Sequence, residues 1–130
     1  MKTKDKIVVY AVILTKDNDE NYPYTVSIPA LDGLTEGKSV ADALEMAEDY
    51  IGTFSLESDL PADDDSLPAV NTNQSASFVR VNVSDYQRRH DNSVIKKTLT
   101  IPNYLNELGN KQGINFSATL TEALKEKLGV

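Results

Sequence analysis

Apolar and polar positions change their period several times along the chain, and each change marks an element. "IVVYAVIL", Ile7 to Leu14, is unbroken apolar sequence rich in β-branched residues, far short of the roughly 20 residues that cross a bilayer, so it predicts a strand. "KDNDEN" supplies turn chemistry, and "YPYTVSIP" reads as the second strand of a long-looped hairpin. In "SVADALEMAEDYIGTF", Val40, Ala43, Leu44, Ala47, Ile51 and Phe54 recur at helical spacing, with Ser39 and Asp42 placed as a capping box. Residues 57–77 carry two prolines and an acidic run without periodicity, which predicts a loop. "FVRVNV" alternates Val79, Val81 and Val83 against Arg80 and Asn82, predicting a third strand.

These patterns predict a first domain over 1–85 in the order strand, strand, helix, strand. The polar, basic "SDYQRRHDNS" predicts a linker, placed at 86–93. A second domain, 94–130, opens on "VIKKTLTIP", whose core alternates strictly until Pro102. "NYLNELGNKQ" follows as a short helix carrying Leu105 and Leu108, in which Gly109 weakens the helix by about 1 kcal/mol relative to alanine. Lys111 and Gly113 mark its end, and Asn115 is a favoured cap for a last helix with Leu120, Ala123, Leu124 and Leu128 on one face.

Composition narrows the chemistry. No cysteine occurs and His90 is the sole histidine, which excludes disulfides, thiolate catalysis, cysteine-ligated zinc and multi-histidine metal sites within one chain. Net charge is −7, but unevenly placed: residues 1–70 hold 5 Lys against 15 acids, a balance of −10, and residues 71–130 hold 8 Lys or Arg against 5 acids, a balance of +3. Two halves of opposite sign suggest two kinds of partner. No metal or other cofactor is expected, no membrane association, and the expected compartment is the cytoplasm.

A strand and two short helices rarely bury enough surface to fold alone, because units below about 40 residues usually need disulfides, metal or oligomerisation. A lone strand also needs a second strand for its N–H and C=O groups. In a twofold dimer the strand pairs with its own copy, giving an antiparallel ribbon over a four-helix core. Leu99 and Ile101 then point inward with Leu105, Leu108, Leu120 and Leu124, and Lys96, Thr98 and Thr100 line the outer face. Such a ribbon fits the major groove of B-DNA, and a capped helix at Asn115 offers free amides to a phosphate. The competing reading is an edge strand of the first domain with a terminal helical hairpin.

"KKTLTIPNYL" and "GINFSATLTEAL" resemble the ribbon-helix-helix DNA-binding family over about 36 residues. The resemblance implies base reading by Lys96, Thr98 and Thr100 and phosphate anchoring by the backbone amides of Phe116 and Ser117, behind Asn115. Lys97, Arg88 and Arg89 are expected to add phosphate contacts. Many members carry a charged residue where this chain has Phe116. The first 85 residues resemble the HicB antitoxin family through "YTVSIPALDGLTEGKSVADALEMAEDYI" and the later "FVRVNV", with Asp42 where glutamate is more usual. That resemblance implies an α+β protein with a partial RNase H-like domain that has lost nuclease activity, followed by a dimeric DNA-binding domain. It also implies a small HicA-type toxin that cleaves messenger RNA as partner, operator DNA as ligand, a homodimer, and higher oligomers with the toxin.

Charge and exposure suggest Pro29, Ala30, Leu31, Asp59, Asp63, Asp64 and Asp65 for the toxin surface. "DNDENY" begins like a calcium loop, yet Tyr22 replaces the required glycine and Ile28 the required acid. No convergent carboxylates, Ser-His-Asp grouping or phosphate loop is visible, so no enzymatic activity is expected. An alternative function is a stand-alone ribbon-helix-helix regulator whose first domain senses a small organic ligand.

Overall fold

The computed structural model describes residues 4–130, so the first three residues of the expected 1–85 domain lie outside it. The chain forms an α+β structure that divides into a first unit ending at Ser93 and a second, Val94–Val130.

The first unit is a four-stranded antiparallel sheet in the order β3-β2-β1-β4, built from β1 (Ile7–Lys16), β2 (Tyr24–Ile28), β3 (Gly33–Gly37) and β4 (Gln74–Asn82). The β1–β2 turn is held by Asp19, whose carboxylate accepts from the amides of Asn21 and Tyr22 at 2.9 and 2.8 Å. Those two bonds hold its pKa below the ordinary value. Because opposed residues in an antiparallel pair share a face, the register Val8↔Val81, Tyr10↔Val79 and Leu14↔Val26 puts these six side chains on one side. They form the core with Ala43, Ala47 and Ile51 of α1 (Val40–Glu57).

The capping box forms with one shift. Ser39 Oγ accepts from the Asp42 amide at 3.1 Å, while the Asp42 carboxylate reaches back to the amide of Lys38, not Ser39, at 2.8 Å.

Two expectations are corrected here. The order is strand, strand, strand, helix, strand, helix: the unexpected β3 is "GLTEG", too short and glycine-rich to read as a strand, and it forms because β2 pairs with it along its whole length. A 3₁₀ turn, Pro29–Leu31, leads into it, and Asp32 closes the connection in the left-handed region at φ 50°, with its amide donating to Pro29 O at 3.1 Å. Gly37 lets β3 approach the helix, since a Cβ there would lie 2.5 Å from the Cα of Ala43.

The expected linker at 86–93 begins inside a helix, α2 (Val83–Arg89), capped by the Asn82 side chain accepting from the Asp85 amide at 2.9 Å. Its Val83 and Tyr86 are buried. Tyr86 lies against Gly52 of α1, where even a methyl group would collide with the ring. Its hydroxyl donates to Asp49 Oδ1 at 2.8 Å and lies 2.8 Å from Thr53 Oγ1. The polar residues on either side of Tyr86, from Ser84 to Arg89, hid this packing from the pattern. The last strand is also longer than expected, starting at Gln74 rather than Phe78.

The second unit holds α3 (Asn103–Gln112) and α4 (Phe116–Leu128), at the positions predicted for its two helices. Gly113, at φ 69°, ends α3 in the left-handed conformation that favours glycine. Every residue of this unit except Gly109 is exposed.

Candidate functional site

In the second unit, residues 94–101 form no helix and no strand, so the strand expected over Lys96, Lys97, Thr98, Leu99, Thr100 and Ile101 is not formed and has no partner among the described residues. Leu99, Ile101, Leu105, Leu108, Leu120 and Leu124 are between 37% and 50% exposed, which is half-covered apolar surface. Between the helices, Ile114 N donates to Gly109 O at 2.9 Å, and Asn115 caps α4 by accepting from the Ala118 amide at 3.0 Å. The amides of Phe116 and Ser117 fall in the first turn of α4, where an α-helix offers no intrahelical acceptor. Phe116 itself packs on Gly109: a Cβ at 109 would lie 2.5 Å from the ring's Cζ. This is why a glycine tolerates its helix-weakening position, and why an aromatic ring stands at 116.

Arg88 and Arg89 sit in the last turn of α2. Arg88 is already engaged, bidentate to Asp5 at 3.1 and 3.0 Å and to Asp85 at 2.7 Å. The Arg88 guanidinium and Asn82 together pull the Asp5 carboxyl down to about 2. Arg89 lies over the Tyr86 ring at 5.6 Å, and His90 stacks on the same ring at a centroid distance of 4.3 Å.

The residues suggested for a toxin surface fall into two places. Pro29, Ala30 and Leu31 form the 3₁₀ turn, and Leu31 is buried in the core, which corrects its assignment as an exposed contact. Asp63 and Asp64 do structural work at the sheet. β2 pairs only with residues 13–16 of β1, leaving the preceding edge open. There the Asp64 amide donates to Val9 O at 3.0 Å, its carboxylate accepts from Ala11 N at 2.9 Å, and Asp63 Oδ1 accepts from Val9 N at 3.3 Å. The loop thus imitates a short strand and blunts an open edge. Tyr10 OH donates to Pro61 O at 2.5 Å, and burial, with Asp63 and Asp64 next, pushes its pKa up. Asp59 and Asp65 remain exposed.

Two further surfaces escaped the pattern reading. An open groove of about 370 Å³ runs between α1, α2 and β4, lined by Asp42, Glu45, Glu48, Asp49 and Asp85 with Arg80 and Arg89. Met46, Val81 and Tyr86 complete its lining, so charged and apolar side chains share the wall. The second surface is the sheet face opposite α1, where Ile7, Val9, Ala11 and Ile13 alternate with the core set and Phe78 lies opposite Ala11. Its signal in the sequence was the missing alternation of "IVVYAVIL". Among the described residues no group of three or more His, Cys, Asp or Glu could hold a metal ion, and no helix is long and apolar enough to cross a membrane.

The sheet unit keeps Ile7, Leu34 and Phe78 exposed on its helix-free face, and the helical unit buries only Gly109. No protein-family model and no curated protein matches the chain. Among solved structures, it is similar to a chain of a toxin–antitoxin complex from Streptococcus pneumoniae, at 30% identity over 94% of this chain and 99% of that one, with a TM-score of 0.54. The antitoxin HicB of Burkholderia pseudomallei matches at 18% identity over 94% of this chain and 97% of that one, with a TM-score of 0.41. On the first of these matches, together with the motifs of its amino-terminal half, the chain belongs to the HicB-type antitoxin family.

Proposed function

We propose that this protein neutralises a small HicA-type, mRNA-cleaving toxin through its first unit and binds operator DNA through its second, repressing the operon that encodes both. The observation that carries the proposal is the match in near-full length to a chain of a toxin–antitoxin complex. The −10 balance of residues 1–70 supports it, because an acidic surface attracts a basic RNA-binding protein and disfavours wrong partners.

The second unit supports the DNA-binding half. Its six half-exposed core leucines and isoleucines call for a second copy, and the unladdered residues 96–101 supply the strand that a twofold ribbon needs. In that dimer Lys96, Thr98 and Thr100 read base edges in the major groove, and the amides of Phe116 and Ser117 hold a phosphate. Lys97 and Arg89 add salt-dependent phosphate contacts; Arg88 serves the fold, since two carboxylates already hold it.

The test begins with the tagged full chain purified from its native cells. A small basic chain recovered in equal amount is identified by intact mass, then expressed alone and together with this protein. Growth arrest alone and recovery on co-expression support the proposal. Absence of such a chain, or arrest that co-expression does not relieve, refutes it.

A further inference from the structure

We propose that the toxin docks on the helix-free face of the first unit's sheet, on Ile7 of β1, Phe78 of β4 and Leu34 of β3, with the half-buried Val9 and Ile13 of β1 between them; this rests on the antitoxin reading above and assigns its surface.

The argument starts from β1. A strand with one solvated face alternates apolar and polar residues, whereas a strand covered on both faces reads as a continuous apolar run. "IVVYAVIL" is of the second kind. Within its unit α1 covers one face, where Val8, Tyr10, Val12 and Leu14 are buried in the core; on the other face Ala11 is buried as well, and Val9 and Ile13 are half-buried. On the other face Ile7 is 40%, Phe78 43% and Leu34 67% exposed. The register places them side by side, with Phe78 opposite Ala11 on β4, and Ile13 reaching Leu34 through Ser27. Polar pairs close the stripe at both ends: Gln74 Nε2 donates to Thr15 Oγ1 at 3.0 Å, and Asn82 Nδ2 to Asp5 Oδ2 at 3.0 Å. A polar-rimmed apolar patch of this kind marks an interaction site.

Charge selects the occupant. Residues 1–93 hold 8 Lys or Arg against 17 acids, so a second copy of this face would bring two strongly acidic units together, while a basic partner is drawn in. Asp63 and Asp64 lie along the β1 edge next to Val9 and Ala11, and Glu36 stands opposite Thr25. Arg80, opposite Val9 on the edge strand β4, also lines the acidic groove against α1. The apolar centre supplies affinity and the acidic rim orients and accelerates a basic toxin's approach.

The experiment measures affinity of the full chain for the purified toxin recovered as above. Three variants are compared with wild type: Leu34→Ser, the double variant Leu34→Ser with Phe78→Ser, and Leu56→Ser, which removes from α1 a leucine that is 45% exposed. Loss of contact-centre anchors weakens binding by about 30-fold or more in the double variant. Leu34→Ser alone shows a smaller loss in the same direction, and Leu56→Ser binds as wild type. Leu34 is too exposed for its loss to unfold the sheet, so the single variant decides the matter if the double variant melts early. Wild-type affinity in both sheet variants overturns the docking face and leaves the antitoxin reading intact. A change in homodimer mass with toxin affinity retained overturns it in favour of a self-interface. Failure of the wild type to bind toxin overturns both.

Discussion

Tyr86 makes the sharpest test of where the first unit ends. Its ring is 7% exposed, lies against Gly52, and its hydroxyl joins Asp49 and Thr53 on α1. Burial pushes its pKa up, in keeping with a tyrosine taken out of water. Truncating a buried aromatic to alanine costs about 3 to 5 kcal/mol, and α2 is a single short helix at the unit's periphery, so the lower end applies. For a unit of this size each kcal/mol lowers Tm by about 4 to 8 °C, so Tyr86→Ala should lower it by about 12 °C or more. Tyr86→Phe keeps the ring and loses only the hydroxyl's bonds. Asp49 and Thr53 are exposed and regain water, so the loss is about 1 kcal/mol. Calorimetry of the full chain, with amide exchange across α2, measures both. In a solvated linker either substitution would stay within about 0.5 kcal/mol. A Tyr86→Ala chain that melts within about 2 °C of wild type would therefore refute the packing of α2 on α1.

Three other outcomes are expected. Thr98→Ala should relax base discrimination by about 1 to 3 kcal/mol, whereas Lys97→Ala should weaken all sequences alike and flatten the salt slope; equal losses on operator and random DNA in the Thr98 variant would remove the base-reading role. Gly37→Ala should destabilise the first unit by about 1 to 3 kcal/mol in a urea melt, because the new methyl meets the main chain of Ala43, which cannot swing aside. The Asp5 carboxyl is held at about 2, below its ordinary 3.8, so the ion pair stabilises the fold fully above pH about 4 and loses that contribution as pH falls toward 2. Asp5→Asn should thus be less stable than wild type at neutral pH, with the difference vanishing near pH 2; a difference that persists there would refute the ion-pair account.

How much of this was legible follows from which residues report on their own surroundings. Capping residues do: Ser39 and Asn115 sit at helix starts because their side-chain oxygens satisfy amides a few residues on, a relation contained within the chain's local sequence. β3 and α2 do not. Gly33 to Gly37 has no strand propensity worth the name, and it pairs because β2 presents a matching row of amides and carbonyls. "VSDYQRR" looks like solvated linker because its buried Tyr86 is surrounded by polar residues, and Gly52, far away in sequence, makes room for that ring. The acidic loop misled for a related reason. A carboxylate that accepts from main-chain amides of a distant strand has the same sequence signature as one that faces water, so Asp63 and Asp64 read as free charge until the open edge of β1 was seen beside them.

The second unit and the outer face of the sheet pose the same problem at a larger scale. In both, the sequence is more apolar than the isolated chain requires: α3 and α4 carry leucines that remain half exposed, and β1 carries isoleucine and valine where a solvated sheet face would carry threonine or lysine. Propensity and periodicity describe the fully assembled state in which the sequence works. An apolar position left uncovered in one chain is then information about a neighbour. On that argument the two surfaces have different neighbours. The C-terminal unit, residues 94–130, holds 5 Lys against 3 acids, a near-balanced charge that would let two copies meet in the proposed dimer, whereas the strongly acidic first unit disfavours its own copy and favours a basic partner. Under the proposed function, a single chain would separate self-association from partner binding by the sign and density of charge around two apolar patches.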